Sequence, residues 1–325
     1  MILSYPMRLL CVLLVVGGFA EGVAQLALAF GARFILRRLE FASARRREHA
    51  LYLVQLAPAL LAGFVAIALC LPAYLHFEPN HAMESVSLAS VVISFGFVLW
   101  FASGLLRGLR ITVRTLRFAR SRHAAGHIAL RNGALPVLVV PHLDYPLALI
   151  GFFRPRVLVS SDFLNAAGGF ESQVFALALA HERAHAAHRD NWKMLSLSFL
   201  PRLDGLLPGG ARLRQLWQTA ADWAADDEAV DGDPLRSLQL AEALVRAARS
   251  VRPSQQSLLC TALTSAEAGL AARVQRLTDL QHTGPPNALS VAPGFAVLAL
   301  IAAGALALAP WIYPFSEWLL HFGSA

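Results

Sequence analysis

Apolar residues in this chain fall into long unbroken runs at its two ends, and into short alternating stretches between them. Residues 51–77 carry no charged side chain when His76 is neutral, and neither residues 85–106 nor residues 289–315 carry any. Each run exceeds the roughly 20 residues that a helix needs to cross a hydrocarbon core. A further run, residues 9–32, is interrupted only by Glu21 and Gln25. The pattern predicts four spanning helices. The first run also has the charged start and apolar stretch of a cleaved leader, with Arg8 ahead of residues 9–20. Its apolar character resumes over residues 22–30, beyond the reach of a leader, and we read it as a retained helix. Glu21 is costly in lipid unless it faces protein or water, so it marks either a polar contact inside the bundle or a helix that sits shallow.

Between the third and fourth runs the period shortens. Residues 107–122 read as a basic helix leaving the membrane. The run 135–140, bounded by Pro136 and Pro141, and the run 156–160, which follows Pro155, predict two short strands, with Gly151 in the turn between them. The second strand, over residues 157–160, offers an edge for an extended substrate. Gly168 and Gly169 break the chain before a helical segment, residues 171–192, whose apolar half at 174–180 predicts burial. Residues 206–210 read as a loop. Helical patterns resume over 212–230, 235–250 and 265–280, with Asp231-Gly232-Asp233-Pro234 stopping one helix and starting the next. The expected organisation is three spanning helices in residues 1–106, an inserted soluble domain in residues 107–287, and the fourth helix with a short tail in residues 288–325.

Charge fixes the orientation. The net charge is +7 and the hydrophobic fraction 56%. Arg33, Arg37, Arg38, Arg45, Arg46 and Arg47 follow the first span, and Arg107, Arg110, Arg114, Arg117, Arg120 and Arg122 follow the third. The link between spans two and three holds Glu78 and Glu84 and no lysine or arginine. The positive-inside rule places both arginine clusters and the inserted domain in the cytoplasm, with both termini outside. A juxtamembrane origin accounts for the arginines, and no nucleic-acid motif accompanies them, so direct nucleic-acid binding is not expected. Cys11, Cys70 and Cys260 have no ligand spacing and read as apolar fillers.

The chemistry lies in His181-Glu182-Arg183-Ala184-His185. On a helix, positions i and i+4 share a face, so His181 and His185 can aim two imidazole nitrogens at one metal ion, and Glu182 can reach a water held there. This is the donor set of a zinc peptidase: neutral nitrogen ligands, an open coordination position and a general base. A third ligand is required. His188 and Asn191 stand where an extended HExxHxxGxxH motif has glycine and histidine, so that subclass is excluded. The acidic segment 222–228 supplies the alternative. Asp222 and Asp226 share a helix face, and one can bind the metal while the other orients a ligating imidazole. Asp227 and Glu228 point elsewhere. Asp190 reads as a salt-bridge or helix-end residue, and His188 as a substrate contact or a solvent-facing side chain.

His181-Glu-Arg-Ala-His185-Ala-Ala-His-Arg-Asp190-Asn191 resembles the HExxHxxxxDN block of the BlaR/MecR-type membrane zinc metallopeptidases, the antirepressor class. The stretch 151–159 resembles that family's G-x-x-x-P-x-hydrophobic strand, and Ala225-Asp226 its Ala-Asp pair. More distantly the insert is similar to the HtpX and CAAX-prenyl-protease group. The resemblance implies a mainly α membrane protein, with four transmembrane helices and an α+β zincin-like (HExxH, gluzincin) metallopeptidase domain inserted between helices three and four. It implies a Zn2+ cofactor on His181, His185 and Asp222, Glu182 as the catalytic base, Asp226 and Asp190 behind the ligands, and Glu228 as the substitute third ligand. Asp222 stands where the family has glutamate. It is shorter by one methylene, so its helix must come about 1.5 Å closer. The implied function is an endopeptidase of a bacterial inner membrane, cutting a cytosolic transcriptional repressor or a membrane-associated protein, with signal transduction as the expected role. The family's external penicillin-binding sensor has no counterpart after the fourth span, so antibiotic sensing is not expected. The alternatives are a non-proteolytic membrane transducer with a degenerate metal site, and a quality-control protease for membrane proteins.

Overall fold

The long apolar runs fold as long helices. A computed structural model describes residues 3–77, 86–125, 127–130, 135–141, 143, 145–202, 209–250, 260–262 and 267–279, with positions 314 and 318. Helix α1 (Tyr5–Leu39) is followed by α2 (Ala44–Gly63), a π-helical stretch (Phe64–Cys70) and α3 (Leu71–Phe77), which together form one rod, and then by α4 (Leu88–Ala125). Among the described residues, three helices are long and apolar enough to cross a membrane: Tyr5–Leu39, Ala44–Phe77 and Leu88–Arg122. Apart from Pro314, the expected fourth span at 289–315 lies outside the described residues, as does most of the loop expected at 206–210.

At about 1.5 Å per residue, a 35-residue helix is nearly twice as long as a hydrocarbon core of about 30 Å is thick. The excess carries the arginines. Helix α4 passes residue 107 without a break, so the expected boundary there is a change of surroundings rather than of fold. The basic ends of α1 and α2 share a core with two helices of the insert, α7 (Asp190–Phe199) and α8 (Gly209–Val230). Ala32, Leu39 and Leu51 pack with Leu197, Leu213, Trp217 and Ala220. Glu21 is buried in the bundle, where Gln25 Nε2 donates to its Oε1 at 2.7 Å, which favours the polar-contact reading over the shallow helix.

The end of α7 reaches into the bundle. A helix C-terminus leaves carbonyls without intrahelical partners, and an apolar layer offers no water to satisfy them. Side chains of the spanning helices do so here. Arg107 donates to the carbonyls of Ser198 and Leu200, Gln25 Nε2 to Pro201 O at 3.0 Å, and Trp100 Nε1 to Arg202 O at 3.1 Å. Close approach is possible because α4 has glycine at 104 and 108, where Phe199 and Leu200 lie against its backbone.

The insert is built on a five-stranded sheet: β1 (His127–Leu130), β2 (Val137–Val140), β3 (Leu147–Ile150), β4 (Arg156–Ser160) and β5 (Cys260–Ala262), in the order β1-β2-β4-β3-β5. The pair β2–β4 is parallel and the other pairings are antiparallel. Alternation divides the side chains between two faces. Val137, Leu147, Leu149, Val157 and Val159 meet α5 (Ser161–Ala166), α6 (Gln173–Ala187), α9 (Pro234–Ser250) and α10 (Glu267–Thr278). Leu138, Val140, Ile150 and Leu158 meet Phe118 and Ala119 on the arginine-bearing half of α4. The two expected strands are β2 and β4, and Gly151 takes a positive φ of 92° in the turn before β4. Both edges of β4 are occupied, by β2 and β3, so the substrate edge expected at 157–160 does not exist.

The expected helix over 171–192 is two helices. Ser172 Oγ caps α6 by accepting from Val174 N at 3.2 Å, and α6 ends at Ala187. Arg189 then adopts a left-handed conformation (φ 56°, ψ 38°), which turns the chain before α7.

A Cβ added at Gly104 would stand 2.6 Å from the backbone carbonyl of Phe199, whereas one at Gly22 meets nothing within 4 Å. Gly104→Ala is therefore expected to destabilise the protein by about 1–3 kcal/mol through overpacking, and Gly22→Ala to be neutral or mildly stabilising. Unfolding midpoints of the detergent-solubilised variants check this.

Candidate metal centre

The buried apolar half of α6, with Val174, Phe175, Leu177, Ala178 and Leu179, anchors the turn that carries His181, Glu182 and His185, and all three of those side chains are fully buried. One helical turn separates the two imidazoles. Their rings stand edge to face, with centroids 4.6 Å apart, and their Nε2 atoms approach to 3.1 Å. The other nitrogen of each ring faces a carboxylate. His185 Nδ1 lies 2.7 Å from Asp190 Oδ2, and His181 Nδ1 lies 2.9 Å from Asp226 Oδ1, a close approach bent away from hydrogen-bond linearity. A carboxylate at Nδ1 draws the proton there and leaves the lone pair on Nε2. Both lone pairs therefore converge on one point.

Helix α8 brings the third donor. Asp222 lies one turn before Asp226, and its Oδ1 stands 3.5 Å from His185 Nε2. One donor atom from each of His181, His185 and Asp222 lies within 4.8 Å of the others. Bonds of about 2.0–2.1 Å in a tetrahedral site hold neighbouring donors about 3.3 Å apart, close to the 3.1 and 3.5 Å seen here. The donor set fits a divalent ion such as zinc, and the shorter Asp222 reaches the site where the family resemblance has glutamate.

The electrostatics agree. Glu182, Asp190, Asp222 and Asp226 surround the two rings, and the buried cations among them are Arg273 and Lys193. Lys193 is shared with the buried Glu48, so these carboxylates outnumber the cations beside them, a setting that favours a bound cation. Burial holds the His181 imidazole down to about 4. At His185 burial acts the same way, but the carboxylates of Asp190 and Asp222 outweigh it and lift the ring to about 10, so the position facing Asp222 holds a proton that a bound cation would replace. Burial would raise Asp190, Asp222 and Asp226, yet each is held below its ordinary value, Asp190 by His185 and Lys193, and Asp222 and Asp226 by Arg273 together with the imidazoles. Burial pushes Glu182 up to about 7. Its Oε2 accepts from Leu149 N at 3.0 Å, while its Oε1 has no protein partner among the described residues.

The remaining residues singled out in the sequence sit around this centre. Asp190 is both a helix-start residue and the partner of His185. His188 Nε2 pairs with Glu228 Oε2 at 2.7 Å, so Glu228 is occupied away from the triad and His188 is mostly buried rather than facing a substrate or solvent. Asp227 pairs with Arg276. Asn191 Nδ2 donates to the carbonyls of Leu149 and Gly151, at 3.1 and 2.9 Å, and ties the start of α7 to the end of β3. Beside His185 lies a cleft of about 600 Å3, walled by Phe152, Phe153, Arg189 and Trp192.

Arg273 is the residue that the sequence reading missed. From α10 it donates to both oxygens of Asp226, Nε at 2.9 Å and Nη2 at 2.7 Å, and its Nη1 lies 3.9 Å from Asp222 Oδ2. The signal was present: Leu270, Val274 and Leu277 form the apolar stripe of α10, and Arg273 stands within it. Compared with known families and curated sequences, the chain matches no family model and no curated protein.

Removing one member of a buried ion pair leaves the other charge uncompensated, at a cost of about 3–5 kcal/mol. Arg273→Met is expected to destabilise the protein by that order, and Arg276→Met, at the partly exposed pair with Asp227, by less than about 1 kcal/mol. Denaturant unfolding of the two variants makes the comparison.

Proposed function

We propose that this protein is a membrane-embedded, zinc-dependent endopeptidase whose active site opens to the cytoplasm. The observation that carries the reading is the convergence of His181 Nε2, His185 Nε2 and an Asp222 oxygen at one buried point, with the Glu182 carboxylate on the same turn of α6. His181, His185 and Asp222 hold the ion. When bound, zinc supplies a Lewis acid and brings the pKa of a water that it holds toward about 7.

The chain's own groups do the rest. Glu182 is held by one oxygen on the Leu149 amide, which leaves Oε1 to take a proton from the attacking water and deliver it to the leaving nitrogen. Its raised pKa, about 7, suits both tasks at neutral pH. Asp226 and Asp190 keep the imidazoles in the ligating tautomer, and Arg273 keeps Asp226 ionised. The cleft next to His185 gives a polypeptide access, with aromatic walls to bury an apolar side chain and Arg189 at the rim. With the edges of β4 closed, the substrate enters by this cleft rather than by adding a strand to β4.

The arginine clusters at the ends of α1 and α4 support a site on the cytoplasmic side of a bacterial inner membrane under the positive-inside rule. The resemblance to the BlaR/MecR-type peptidases favours a cytosolic repressor as substrate and a signalling role. A quality-control protease would use the same site on membrane proteins. A non-proteolytic transducer was motivated by the short third ligand, and the 3.5 Å separation between Asp222 and His185 weakens that motive.

The purified full-length protein is expected to carry about one zinc per chain, read by elemental analysis, and His185→Ala to lose it. Glu182→Gln should keep the metal and lower peptide cleavage by about 10²–10⁴-fold. A metal-free wild type, or equal cleavage by wild type and Glu182→Gln, ends the peptidase reading. Proteins that co-purify with Glu182→Gln identify the substrate class.

A further inference from the structure

One buried acid takes no part in the chemistry above. Glu48 lies near the start of α2, at the cytosolic end of the second membrane-crossing rod, and its side chain is 0% exposed. Three donors converge on its carboxylate. Lys193 Nζ donates to Oε1 at 2.8 Å, Trp217 Nε1 donates to the same oxygen at 3.1 Å, and Arg45 Nη1 reaches Oε2 at 3.3 Å. Lys193 also donates to Asp190 Oδ1 at 2.9 Å, and the other oxygen of Asp190 holds His185 Nδ1 at 2.7 Å. His185, Asp190, Lys193 and Glu48 thus form an unbroken line from the centre to a membrane helix, with every link shorter than 3 Å.

We infer that Glu48 is a positioning residue for the metal centre, and that through it the cytosolic end of the second membrane helix sets how tightly the centre holds its ion. The inference rests on the reading of His181, His185 and Asp222 as metal ligands. Lys193 is shared between two carboxylates in a buried place. With the charge of Glu48 removed, the whole ammonium charge acts on Asp190, makes that carboxylate a weaker acceptor, and loosens its hold on the His185 Nδ1 proton. The imidazole then becomes a poorer donor at Nε2 and a less fixed one. A displacement of α2 that lengthens the Glu48–Lys193 contact has the same effect. Glu48 is placed to work in this way because α2 also lies along α8, the helix that carries Asp222.

The test uses the full-length protein in detergent or nanodiscs and reads zinc affinity by chelator competition, together with the visible spectrum of the Co2+-loaded form. Glu48→Gln keeps the size of the side chain and removes its charge. It is expected to weaken zinc binding by about ten-fold, the scale of outer partners of ligating histidines, and to shift the Co2+ bands. Lys193→Gln takes the ammonium off Asp190 altogether and is expected to move the zinc affinity and the Co2+ bands in the opposite direction, so the idea can be judged even if Glu48→Gln fails to fold. The double variant is expected to bind no more weakly than Lys193→Gln alone, since the two residues act through one route. Unchanged affinity and an unchanged Co2+ spectrum in the single variants overturn the proposal, and so do independent, additive effects of the two substitutions in the double variant. A wild type that binds neither ion is a different result, because it removes the metal-centre reading itself.

Discussion

Two carboxylates, each at the Nδ1 atom of one histidine, are the constraint around which the inserted domain of this protein is organised. Asp190 and Asp226 decide which nitrogen of each imidazole carries the proton, and so decide that both lone pairs meet. Burying two such acids beside two further acids is unfavourable unless cations go in with them. Arg273 and Lys193 supply the charge, and each of them fixes another part of the chain. Arg273 binds α10 to α8 through both oxygens of Asp226, and Lys193 binds α7 to α2 through Glu48. The turn at Arg189 exists on the same account: without its left-handed backbone α6 would run on and carry Asp190 away from His185.

The same elements join the site to the membrane part. Helix α7 begins at the residue that orients His185 and ends among side chains of the spanning helices, which bond the carbonyl of Ser198 and those of the segment just after the helix. Helix α8 carries Asp222 and Asp226 on one turn and, two turns earlier, packs Leu213 and Trp217 against the ends of α1 and α2. Two of the helices that form the site, α7 and α8, are therefore also ones that contact the bundle, while α6 and the sheet stand behind them and the sheet holds Glu182 through a single amide of β3.

Local patterns in the sequence were informative where the structure is local. The spacing of His181 and His185, and that of Asp222 and Asp226, places each pair on one helix face because both periods are a single turn. The β-branched runs mark β2 and β4, and the charge-free runs mark the long helices. What the sequence hid depends on contacts between distant segments. Nothing local marks Arg273, Lys193 or Glu48 as buried ion-pair members, because their partners lie 47 or more residues away for Arg273 and 145 for the Lys193–Glu48 pair. Strand β3, Leu-Ala-Leu-Ile, has neither alternation nor a run of β-branched residues, and it was passed over. With it went the fact that β4 lies inside the sheet. The break at Arg189 has no glycine or proline to announce it.

The apolar cluster shared by Leu39, Leu51, Leu197, Leu213 and Trp217 has a practical consequence. Soluble inserts of membrane proteins are commonly cut out and handled as fragments. Here such a fragment would carry away one side of a hydrophobic interior and leave its surface facing water, with the ammonium of Lys193 stripped of Glu48 in the same cut. Severed from its anchors, the insert becomes a sticky, electrostatically unbalanced half-protein, and its chemistry has to be followed with the lipid-facing helices still attached.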